Sequence, residues 1–117
     1  MTVERKLKGN YNSLLHALDQ GIMSGSISAS FQGGSSFTMG DVLCVVRVYE
    51  RYSIIGSNRL AANITLLCQG EDLLLSIITS GGSQAVFFKI NTFGEEAFAK
   101  KIAKIVDRWE QQEGRLQ

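Results

Sequence analysis

The feature that most constrains this chain is a regular alternation of apolar and polar residues over positions 59–69. A period of two predicts a β-strand with one buried and one polar face. A shift of one residue would bury the polar set, so the orientation of this strand is well specified. The apolar set is Leu60, Ala62, Ile64, Leu66 and Cys68, and Arg59, Asn63, Thr65 and Gln69 form the polar set.

Further strands are predicted on both sides of this one. Thr2–Lys8 alternates and carries lysines, which is typical of an edge strand. Residues 26–32 alternate and precede a glycine-rich turn at 33–36, and Phe37–Met39 forms a short piece before the turn at Gly40. The remaining predicted strands start at Val42, at Leu73 and at Gln84, the last ending at Ile90. The turns between them are short, so consecutive strands should pair antiparallel.

Two helices bracket these strands. Asn10 is a suitable N-cap for a first helix, and Gly21 is its predicted stop signal. The apolar stripe of this helix is Tyr11, Leu14, Leu15, Leu18 and Ile22. Thr92 and Glu95 have the spacing of a capping box before a second helix. Its apolar stripe is Phe98, Ile102, Ile105, Val106 and Trp109.

These elements predict a single α+β domain over residues 1–117. Its curved, mainly antiparallel sheet of about five or six strands would carry both helices on one face. The order strand, helix, strands, helix resembles the TATA-binding-protein-like and helix-grip folds. The sequence is also similar to those of uncharacterised small bacterial protein families.

Composition and charge exclude several classes of protein. The net charge is +1, which provides no global field to attract nucleic acid. No apolar run reaches the roughly 18 residues of a membrane helix, and the start of the chain lacks the apolar region of a signal peptide. Cys44 and Cys68 lie in apolar runs, where free cysteines act as small hydrophobes. We therefore expect a cytoplasmic protein with free thiols, and a disulfide is the less favoured alternative.

The sequence contains no recognisable catalytic or cofactor motif. His16 is the single histidine, and its helix position favours a surface residue over a general base for Cys44 or Cys68. One histidine and two separated cysteines lack the spacing of a zinc site. The glycines form neither a dinucleotide-binding motif nor a P-loop. We therefore expect no enzyme activity, no metal and no cofactor.

Basic residues could in principle share the outer face of the sheet with Tyr49, which could then stack on a nucleic-acid base. Parity places Arg47, Arg51 and Arg59 on the polar sides of adjacent strands. Arg5, Lys6 and Lys8 have no predicted position relative to them. The scattered acids and the near-zero net charge disfavour this alternative.

The outer face itself is the predicted interface or ligand surface, because it mixes polar and apolar groups. Its predicted members are Arg47, Tyr49, Asn63, Thr65, Leu67, Leu74, Ser76 and Ile78. One interpretation is a non-enzymatic interaction module that forms a homodimer through this face or through an edge strand. The alternative, which the helix-grip resemblance implies, is a small carrier holding an apolar ligand between sheet and helices.

Overall fold

The computed structural model describes residues 1–53, 58–81 and 88–116, which form five strands and two helices. The elements in chain order are β1 (Thr2–Lys8), α1 (Tyr11–Ser24), β2 (Ser30–Met39), β3 (Val42–Ser53), β4 (Asn58–Gln69), β5 (Asp72–Gly81) and α2 (Phe88–Leu116). The strand order in the sheet is β1-β5-β4-β3-β2, and every neighbouring pair is antiparallel. The predicted α+β class is confirmed.

Tight turns join the strands that are adjacent in both sequence and space. Gly40 (φ 61°) and Gly70 (φ 59°) open the turns between β2 and β3 and between β4 and β5, where they adopt a left-handed conformation that favours glycine. β1 and β2 have no such turn between them, because α1 carries the chain from one edge of the sheet to the other.

The two helices pack on one face of the sheet and against each other. The Asn10 side chain accepts a hydrogen bond from the backbone N–H of Ser13 (3.0 Å), as predicted for an N-cap. The helix does not stop at Gly21 but continues to Ser24, with Gly25 as its C-cap. Gly21 lies where α2 approaches, since a Cβ atom there would be 2.5 Å from Ile105 Cδ1.

The core lies between the helices and the face of the sheet that they cover. The strands supply every second side chain, so the apolar set of β4 points toward the helices as predicted. The buried strand residues include Val3, Leu7, Val45, Tyr49, Leu60, Ala62, Ile64, Leu66, Cys68, Leu73, Leu75 and Ile77. From the helices come Leu14, Leu15, Leu18, Ile22, Phe98, Ala99, Ile102, Ala103, Val106 and Trp109.

The prediction for β2 was wrong in both its start and its end. The strand begins at Ser30, and Ile27 lies fully exposed before it. The chain then runs straight through the predicted turn at 33–36, because Gly34 pairs with Arg47 and Ser35 pairs with Val46 of β3. Pairing with a long neighbouring strand outweighs the turn preference of a Gly-Gly-Ser-Ser segment.

The last predicted strand was also wrong where the structure describes it. Phe88–Ile90 belong to α2, and residues 84–87 of that predicted strand lie outside the described residues. β5 already pairs with β4 on one side and with β1 on the other, so no free edge beside it is left for a following strand. Thr92 and Glu95 consequently lie inside α2 rather than at its start.

Candidate interaction surface

The face of the sheet opposite the helices, called here the outer face, is formed by the alternate residues of all five strands. The strand registers align its side chains in rows that cross the sheet. One row is apolar across four strands and consists of Phe37, Cys44, Leu67 and Leu74, with Lys6 at its end. The adjacent rows add Met39, Val42, Val46, Val48 and Ile78.

No helix covers these apolar side chains in the described part of the chain. Leu67, Leu74 and Ile78 are 39%, 51% and 49% exposed, and Phe37 and Met39 are 58% and 84% exposed. Charged groups lie at the margin, where Lys8 pairs with Asp72 (3.6 Å) and Arg59 pairs with Glu50 (3.3 Å). An apolar patch surrounded by polar groups is typical of an interaction site.

Six of the eight predicted surface residues lie together on the outer face. They form three cross-strand pairs between β4 and β5, namely Asn63 with Ile78, Thr65 with Ser76 and Leu67 with Leu74. β2 and β3 contribute further residues to this face that were not predicted, namely Phe37, Met39, Val42, Cys44, Val46 and Val48. The alternation of β3 could have identified its four members of this set, Val42, Cys44, Val46 and Val48, if the outward face of β3 had been assigned correctly.

The placement of Arg47 and Tyr49 on the outer face was wrong. They pair with Ile64 and Ala62, whose side chains point toward the helices, so both lie on the helix side of the sheet. Tyr49 is fully buried, and its hydroxyl donates a hydrogen bond to Asp19 Oδ1 of α1 (2.8 Å). Burial, together with this bond to Asp19, raises the pKa of Tyr49 to about 12.

Arg51 also lies on the helix side, where its guanidinium stacks over the Phe98 ring of α2 at 4.4 Å from the ring centre. Burial lowers the pKa of Arg51. On the opposite side of the sheet, Arg59 pairs with Glu50. Arg5 binds Asp107 of α2 at the sheet edge (3.3 Å). The basic residues are therefore divided between the two faces and one edge of the sheet, and the buried ring of Tyr49 is not available to stack on a nucleic-acid base.

The two cysteines are free and occupy opposite faces of the sheet. Cys44 is half-buried in the apolar row of the outer face, whereas Cys68 is buried on the helix side. Burial raises the pKa of the Cys68 thiol, which disfavours the reactive thiolate. His16 is exposed on α1, and the sheet separates that helix from Cys44.

The described residues enclose little free space between sheet and helices. The cavity beside the α1–α2 contact has a volume of about 10 Å³ and is lined by residues including Ile22, Arg51, Phe98 and Ile105. A pocket for a small organic ligand usually has roughly 300–1,000 Å³. A larger depression of about 370 Å³ is an open groove beside β1, and its lining includes Lys6, Lys8, Glu110 and Glu113.

Residues 1–53, 58–81 and 88–116 contain no cluster of His, Cys, Asp and Glu side chains that could hold a metal ion. Within the same ranges, neither helix has the length and apolarity needed to cross a membrane.

Comparison with known proteins gives a family but no function. A family model described as a family of unknown function (DUF6054) matches residues 1–110, so the chain belongs to that family. Neither the curated proteins nor the solved structures with which the chain was compared gave a match.

Proposed function

We propose that this member of a family of unknown function is a non-enzymatic interaction module that binds a second copy of itself through the outer face. The observation that supports the proposal is the uncovered apolar row Phe37–Cys44–Leu67–Leu74, which crosses four strands of the sheet near the β2–β3 and β4–β5 turns. Stacking two such faces would create a sandwich whose second core is made from both copies.

The area of the outer face is consistent with the binding of a second copy of the chain. Five strands about 4.8 Å apart and roughly 30 Å long give a face of roughly 700 Å². A stable protein interface buries about 800 Å² on each partner. A two-fold dimer requires the same patch on both copies, and an apolar row with charged groups at its margin can be self-complementary in this way.

The carrier alternative has weaker support. The strand–helix–strands–helix order agrees with the helix-grip resemblance, but the cavity of about 10 Å³ between the helices leaves little room for a ligand. We also propose a cytosolic, bacterial setting. The free cysteines support the cytosolic part, and the bacterial part stays a prediction from the sequence.

Native mass spectrometry of the purified chain tests the proposal directly. We expect Leu74→Lys to halve the mass of the particle, because a charge in the apolar row would be buried without a partner. Ile27→Lys is the matched control, since it places the same charge on an exposed apolar residue outside the outer face. A wild-type particle with the mass of one chain, 12.8 kDa, would contradict the proposal. A reproducible extra mass of small-molecule size would favour the carrier.

Cys44 provides an independent probe of the same face. Its thiol lies in the apolar row, whereas Cys68 is buried on the other side of the sheet. The rate of Cys44 alkylation by a bulky maleimide should therefore fall as the protein concentration rises. The Leu74→Lys variant should lose this concentration dependence.

A further inference from the structure

The two edges of the sheet differ in how they are protected. β1, at one edge, carries Glu4, Arg5, Lys6 and Lys8, and charges of this kind discourage pairing with another strand. β2, at the other edge, has the sequence SFQGGSSFTM and contains neither a charged residue nor proline. Among the described residues no strand pairs with its outer edge, so the backbone groups there form a template for one more strand.

Gly33 follows the β-bulge of β2, and the space where its side chain would be is open. A Cβ atom at Gly33 would meet nothing within 4 Å, and its φ is not in the left-handed region. Gly34 is different, because a Cβ atom there would lie 2.9 Å from the Val46 carbonyl oxygen. A strand glycine with open space above it is typical of a place where another group approaches the backbone.

The Phe37 side chain of a second copy would fit the open space above Gly33. It lies on the same face of β2 as Gly33, four residues further on, and is 58% exposed. Ser35 lies midway between them. If two β2 strands pair antiparallel with Ser35 opposite its own counterpart, each Phe37 falls opposite the Gly33 of the other copy. Aromatic side chains cover glycines across strands in this manner, and the arrangement is self-complementary as a two-fold contact requires.

We propose that β2 pairs with β2 of a second copy in this register, centred on Ser35. The contact joins two five-stranded sheets edge to edge and leaves both outer faces on the same side. The β-bulge between Phe31 and Gly33 limits the regular pairing to the segment after it. This contact uses the backbone edge of β2 rather than the outer face, although Phe37 contributes to both, and it does not rest on the proposed face-to-face contact.

Disulfide trapping tests the register. In a Cys44→Ser background, Ser35→Cys should form a covalent dimer with oxidised glutathione, because the two side chains are directly opposite each other. Ser36→Cys and Thr38→Cys are the controls, since the register places each of them opposite a different residue of the partner. Equal trapping of all three variants, or no trapping of Ser35→Cys, would overturn the proposal.

A second experiment measures the contact without a covalent bond. In the Leu74→Lys background, native mass spectrometry should show a dimer held by β2, and adding Gly33→Val should give the single chain. Met39→Val is the control, because it changes the same strand outside the Gly33–Phe37 pair. Circular dichroism melting verifies that Gly33→Val folds, as the open space above Gly33 predicts.

The two proposals fail separately in these experiments. A Ser35→Cys dimer that forms although Leu74→Lys leaves the particle mass unchanged would refute the face-to-face contact alone. A particle that dissociates completely with Leu74→Lys, without Ser35→Cys trapping, would refute the β2 contact alone.

Discussion

At the scale of single residues, Tyr49 shows how a polar group fixes the position of a helix on the sheet. Its ring is fully buried and packs edge-on against Phe31 (5.5 Å between ring centres). Its hydroxyl reaches out of the core to Asp19 of α1. The tyrosine thus contributes apolar contact area and one directional bond that specifies where α1 lies over β3.

The Tyr49–Asp19 bond predicts a pH-dependent contribution to stability. Tyr49→Phe should lower the free energy of unfolding at pH 7 by about 1–2 kcal/mol, because it removes a hydrogen bond to a carboxylate. The folded-state pKa of about 12 exceeds the ordinary value of 10.0, so folding favours the protonated tyrosine. The stabilisation is therefore complete below pH 10 and is lost as the pH rises through about 12.

Urea unfolding of both proteins at pH 7, 10 and 11 provides the measurement. The stability difference between wild type and Tyr49→Phe should narrow at the higher pH values, since Phe cannot ionise. A difference that stays constant over this range would show that the hydroxyl is not held as a buried donor.

At the scale of elements, the α1–α2 contact depends on the missing side chain of Gly21. Ile105 lies where a Cβ atom of residue 21 would be, with Cδ1 at 2.5 Å and Cγ1 at 2.8 Å from that position. At these two distances an added Cβ atom would overlap the Ile105 side chain, and a movement of the terminal Cδ1 atom alone would not remove the overlap. The glycine lowers the intrinsic stability of α1 but lets the helices approach closely.

In a double-mutant cycle, the effect of Gly21→Ala on the free energy of unfolding should change sign when Ile105 is shortened. Gly21→Ala in the wild type should lower the free energy of unfolding by about 1 kcal/mol, because overpacking outweighs the better helix propensity. In an Ile105→Ala background the same substitution should raise it by up to about 1 kcal/mol. Equal effects of Gly21→Ala in both backgrounds, measured by urea unfolding, would contradict the proposed overlap.

Element by element, the sequence was most informative where one pattern had a single solution. The alternation of Leu60 to Cys68 and the N-cap at Asn10 were predicted correctly, because each depends on local periodicity or on a local hydrogen bond. Both alternate sets of β3 residues contain apolar side chains. Which set faces the helices therefore depends on contacts with residues that are distant in sequence. Asp19 for Tyr49 and Phe98 for Arg51 turn the polar set of β3 toward the helices.

At the scale of the whole molecule, the wrong assignment of the two sides of β3 determined how much of the outer face was predicted. The β4–β5 half was identified from the sequence, whereas the contribution of β3 was missed because Arg47 and Tyr49, rather than the alternate valines, were predicted to lie on the outer face. A glycine-rich strand such as β2 resembles a turn in composition, and only its pairing with β3 shows that it is a strand. The extent of the candidate surface is therefore a property of strand register rather than of local composition.

The sheet order predicts a gradient of local stability across the molecule. β4 is paired on both sides and buried on one face, whereas β2 has one free edge and exposed residues over most of its length. Hydrogen exchange in the Leu74→Lys, Gly33→Val double variant should therefore be slowest in β4 and fastest in β2. In the wild type we expect additional protection of β2, and equal exchange of β2 in both proteins would count against pairing at that edge.

The charges of β1 and their absence from β2 decide how far such a sheet can grow. In the language of polymer chemistry, a monomer with two reactive ends forms chains, whereas a monomer with one reactive end forms only pairs. A chain with one blocked and one open edge is of the second kind. When two β2 edges meet, both open edges are consumed and the charged β1 strands terminate the product, so the association that joins two copies also ends the edgewise growth of the sheet.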